Sequence, residues 1–133
     1  MRTVIYNYIR DLRLKGWILT EHLPFEDNNA PVYHHNKKHI YIDTPQTSQT
    51  AMFDALNGGV GTVDEVTTVS VYFVNDAKKI PPDYESVVEQ IKGARTTAGT
   101  EGYIQKLCQV SSSYETDALV TRLEFSFRKL LTN

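Results

Sequence analysis

Cysteine is almost missing from this chain: Cys108 is the only one in 133 residues. That excludes an internal disulfide framework, a CxxC redox pair and a cysteine-rich zinc site, and it points to a reducing compartment. A dominant charge is missing too. Fourteen Lys and Arg stand against sixteen Asp and Glu, a net charge of -2, which excludes one large basic field for gripping nucleic acid and leaves room only for a local patch. No apolar run approaches the roughly 18 residues of a membrane span, so no membrane partner is expected. The opening MRTVIYNYIRDLRLKGW mixes apolar and charged residues and lacks the apolar core and small-residue cleavage site of a signal peptide. Repeats and low-complexity tracts are also absent. The expectation is a chain that folds and stays in the cytoplasm unless an assembly carries it elsewhere.

What is present suits one ordinary domain spanning 1–133. The hydrophobic share of 41% and the aromatic share of 11% supply a core, and 23% charged residues supply a wet surface. Val4, Ile5, Tyr8, Ile9 and Leu12 recur at helical spacing, which predicts an amphipathic helix over 3–15 ended by a left-handed Gly16. Trp17 to Thr20 reads as a short strand. Val32 to His35 and His39 to Thr44 read as a β-hairpin turning at Asn36-Lys37. Residues 45–62 break the pattern with Pro45, Gly58, Gly59 and Gly61, and are expected to form a long mobile arm, with a possible short helix over Ser48 to Leu56.

Val63 to Asn75 is the clearest strand. Val69, Val71 and Phe73 alternate with Ser70, Tyr72 and Val74, sending one set to the core and the other outward. Pro81-Pro82-Asp83 opens a second helix carrying Tyr84, Val87, Val88, Ile91 and Arg95 on one face, weakened and stopped by Gly93 and Gly99. Leu107 to Tyr114 and Leu119 to Phe127 close the sheet as a final hairpin. The simplest way to bury these stripes is an α+β two-layer sandwich, with two helices on one face of a mostly antiparallel sheet.

Chemical motifs are few. Tyr33-His-His-Asn-Lys-Lys-His-Ile40 holds three of the four histidines. A two-residue turn would set His34 opposite His39, about 5 Å apart at Cβ. Two imidazoles can share a metal, but a zinc site needs a further protein ligand, and His22, His35 or Asp43 would have to be brought in by the tertiary fold. A solvated tip is the default, with His34, His35, Lys37, Lys38 and His39 as residues for a contact to a neighbour. Cys108 sits in a strand pattern as an apolar filler. Ser111-Ser-Ser113 lacks the elbow of a serine hydrolase, and Gly58-Gly-Val-Gly61 lacks the Lys-Ser or Lys-Thr of a phosphate loop. The carboxylates at Asp64-Glu65 and Glu115 to Asp117 are expected to be solvated, so no catalytic, cofactor or metal residue is nominated. Tyr72, Val74, Val120 and Arg122 on the outer sheet face, and Met52 and Phe53 in the arm, are the nominated interface, because apolar surface rimmed by polar groups marks assembly. An exposed strand edge is a second route to a neighbour.

The opening helix Thr3 to Lys15, the strand Val66-Thr-Thr-Val-Ser-Val-Tyr-Phe-Val74, the helix Asp83 to Arg95 and the closing strand Ala118 to Arg128 together resemble the tail-terminator family of long-tailed bacteriophages. That group includes the lambda minor tail protein that caps the tail tube. The resemblance covers nearly the whole chain in element order and rests on patterns; the histidine hairpin and the arm have no counterpart in it. It implies a non-enzymatic structural protein of the virion, assembled in the host cytoplasm, with no cofactor. Copies would form a ring, hexameric by the resemblance, on the last ring of the tail-tube protein, stop tube growth and offer a surface to the neck or head-completion protein. DNA would pass through the lumen without specific binding. The alternatives are another neck, head-tail joining or tail-completion protein, another oligomeric binding module, or a metal-dependent enzyme using the histidine hairpin.

Overall fold

The computed structural model describes residues 1–20, 38–53, 61–97, 99–115 and 117–132. Helix α1 (Arg2–Leu12) places Ile5 and Ile9 inward. It ends earlier than the glycine suggests. Arg13 takes the left-handed conformation at φ 50° and closes the last turn through its N–H to the Arg10 carbonyl. Gly16, at φ 81°, instead turns the chain into β1 (Ile18–Thr20).

Strands β2 (His39–Ile42) and β4 (Thr62–Asp76) pair antiparallel, and β1 lies parallel on the other side of β2. The first half of the expected arm is a strand, and residues 54–60 of it lie outside the described residues: β3 (Gln46–Phe53) pairs antiparallel with the first half of β4, from Gln46↔Thr68 to Phe53↔Thr62. The expected helix over Ser48 to Leu56 is therefore replaced, as far as Phe53, by ladder. Between Ile42↔Val71 and Gln46↔Thr68 the chain advances four residues against three on β4. The extra residue is taken up at 43–45, a bulge in which the Asp43 N–H still reaches the Ser70 carbonyl at 2.9 Å. Thus β2 and β3 together edge one long strand, with Pro45 at the break, where no ladder donor is needed.

Strand β6 (Ala118–Thr132) runs beside β4 without a slip, from Asp76↔Ala118 to Thr62↔Thr132, and β5 (Gln105–Glu115) completes the sheet on β6. The order is β1-β2-β4-β6-β5, with β3 beside β4. Helix α2 (Tyr84–Lys92) and a short 3-10 turn (Gly93–Thr96) join α1 on one face. Ile5, Ile9, Val87 and Ile91 there meet Ile40, Ile42, Val69, Val71, Phe73, Leu123, Phe125 and Phe127 of the sheet. This is an α+β two-layer sandwich. At Gly93 a Cβ would run into the Tyr8 hydroxyl of α1, so a side chain there needs the Tyr8 ring to shift.

Two contacts fix the helices on the sheet. The Trp17 indole N–H donates to the Asp83 carboxylate at 3.2 Å, just before α2, while the ring stands edge-on to Phe73. The Tyr84 hydroxyl bonds that of Thr121, which is fully buried. Buried hydroxyls of this kind need such partners.

Candidate functional site

Residues 21–37 lie outside the described residues, so His22, His34, His35 and Lys37 are not placed. The expected hairpin turn therefore lies outside the described residues, and what is placed is the pairing of His39. At His39 one edge of β2 is taken by Ile18 and the other by Val74, and a strand has only two edges. His39 is buried, stacked on Tyr41 at 5.5 Å between ring centroids, and is not a tip. Lys38 sets its ammonium 5.3 Å from the centre of the Trp17 ring, a cation-π contact. Among the described residues no three His, Cys, Asp or Glu are grouped to hold a metal.

The outer-face residues point as the alternation predicts, but the surface is not open where it was expected. Val74 is 0% exposed and Val120 is 5% exposed, packed with Tyr41, Ala118 and Tyr72 in a second cluster on the face away from the helices. They are part of this chain's own interior. The sheet thus carries a buried cluster on each face. Arg122 stays partly exposed, bonded to Ser70 at 3.1 Å, paired with Glu124 at 2.5 Å and lying over Tyr72. Met52 and Phe53 belong to β3, and their side chains lie outside the described residues.

Of the carboxylates expected to be solvated, Asp64 and Glu65 are engaged structurally, while Glu115 and Asp117 are exposed. Asp64 accepts from Arg128 at 2.8 Å, which raises the guanidinium pKa. Glu65 accepts from the Gln49 amide at 2.8 Å and pairs with Lys129 at 3.5 Å. Burial pushes the Cys108 thiol up to about 11, away from nucleophile character.

What remains is the border of the sheet. Among the described residues, β5 has no partner on its outer side and β3 none on the side away from β4. Strand β5 is the more conspicuous of the two. It is eleven residues long, stays in register with β6 throughout and has no proline. From Leu107 to Tyr114 it carries no charge. Leu107 is 46% exposed, Val110 43% and Tyr114 70%. Bulges, prolines and inward charges are the usual ways of blunting an edge, and β5 uses none of them. The uncharged run Leu-Cys-Gln-Val-Ser-Ser-Ser-Tyr was the available signal, but only the strand order makes it an edge.

The class of protein these features define is an α+β sandwich in which, among the described residues, β5 is open on one side of the sheet and β3 and the short β1 on the other. No family model matches the chain, and no curated protein matches it.

Proposed function

We propose that this chain is a structural virion protein, a tail terminator whose copies form a ring on the end of the tail tube, stop its elongation and receive the neck or head-completion protein. The reading begins from the resemblance in element order, and one observation supports it. Across β3-β4-β6-β5 every neighbouring pair is antiparallel, so the open borders β3 and β5 run in opposite directions. A second copy related by rotation about an axis along the strands would bring its β3 to this β5 antiparallel at the levels the two strands share, Gln46–Ser48 beside Gln105–Leu107, with helices on the same side. That is a head-to-tail contact between different patches, the type that closes rings. The ring is taken as six copies from the resemblance.

The nominated outer-face surface is narrowed accordingly. Tyr72 and Arg122 stay as accessible candidates, while Val74 and Val120 give way to the β3 and β5 borders. The near-neutral charge of -2 suits a lumen that lets DNA pass. Electron microscopy of the protein with tail tubes from the same source tests the reading: rings seated on tube ends are expected. Bare ends at saturating protein would refute it.

A further inference from the structure

We propose that the free protein is a two-fold dimer in which β5 pairs antiparallel with β5 of a second copy. This goes beyond the ring and does not need it, since the dimer forms away from any tube. The occupant follows from the strand's own charges. Lys106 lies near one end and Glu115 at the other, with nothing charged between. Parallel pairing would place like charge beside like. Antiparallel pairing brings each Lys106 to the Glu115 end of its neighbour.

A two-fold axis between antiparallel strands stands perpendicular to the sheet, so residues on like faces must lie opposite one another. Centring the axis on Val110 satisfies this. Val110 then faces the partner's Val110, Leu107 faces the partner's Ser113, and Lys106 faces the partner's Tyr114, a cation-π pair made twice. Room exists as well, because from Gln109 to Glu115 every residue of β5 is exposed, so neither face of that half is covered. A long unblunted edge otherwise invites open-ended aggregation. Two-fold pairing closes after two copies and hides it. The same edge then has to open before it can take β3 of a ring neighbour, which restrains ring formation off the tube.

Sedimentation of the purified chain, without tubes, tests this. The wild type should run at twice the 15.1 kDa chain mass. Val110→Lys sets two ammonium groups against each other on the axis and should run at the single-chain mass. A Cys108→Ala, Val110→Cys variant treated with a short bismaleimide should give a covalent dimer and nothing larger. Thermal melts confirm that each variant is folded, and the cross-link reads the geometry even if the lysine variant is not. A wild type that is monomeric at its highest soluble concentration, a folded Val110→Lys dimer, or a dimer that fails to cross-link at 110 would overturn the proposal. None of these outcomes bears on whether rings form on tubes.

Discussion

Cys108 reports on the packing beside it, because its thiol is held neutral by burial between the sheet and the helix layer. Its pKa rises from 9.0 to about 11, so near neutral pH the thiolate fraction falls roughly a hundredfold below that of the unfolded chain. Disulfide-reagent labelling should be slower in the folded than in the denatured protein by about that factor, and equal rates would contradict the burial. The linkage has a definite sign. The fold favours the neutral thiol, so this contribution is fully present below about pH 9 and is lost as pH rises toward about 11. The Tyr84 hydroxyl is a second probe. Tyr84→Phe removes the near partner of the buried Thr121 hydroxyl, leaving Ser112 at 3.4 Å. A loss of about 1–2 kcal/mol is expected in urea unfolding, and an unchanged midpoint would show that the pair contributes nothing.

Among the elements, β3 carries the largest revision of what the sequence suggested, and it has its own test. Ser48 and Val66 are ladder partners, so cysteines at both positions in a Cys108→Ala background should oxidise to a disulfide. Partner Cβ atoms in such a ladder lie within reach of one. Failure to oxidise would put β3 elsewhere. The elements with apolar periodicity were legible: Ile5 and Ile9 in α1, Val69, Val71 and Phe73 in β4, Val87 and Ile91 in α2, and the Leu123, Phe125, Phe127 row of β6 all face the core as their spacing predicts. Gln46-Thr-Ser-Gln-Thr50 was not legible, because every one of its residues is exposed and alternation appears only when one face is buried. The β2 pairing was not legible for a different reason. A local hairpin is the default for neighbouring strands, whereas β2 found its partners at Ile18 and Val74, sequence-distant contacts that no local pattern encodes. For Gly93 the sequence suggested a stop, and the structure adds that the Tyr8 hydroxyl from α1 occupies the space a Cβ would take. Gly93→Ala should therefore lower the melting temperature, and an unchanged melt would mean that Tyr8 moves aside freely.

For the whole molecule, the sandwich itself follows from its stripes, while the functional reading depends on which strands end up outermost. Val74 and Val120 show how that can mislead: they point outward as predicted and are still interior. Strand β5 shows the converse, since an unremarkable serine-rich strand becomes the longest open border among the described residues once the order β1-β2-β4-β6-β5 is known. Borders of opposite direction support head-to-tail growth, and growth that closes on itself supports a terminator. The most direct measurement is tube elongation: tail-tube subunits polymerised with and without the protein, with lengths scored by electron microscopy. The account predicts that a small fraction of protein per tube subunit halts growth and shortens the tubes, with one ring on each stopped end. Tubes of unchanged length, with the protein absent from their ends, would contradict it.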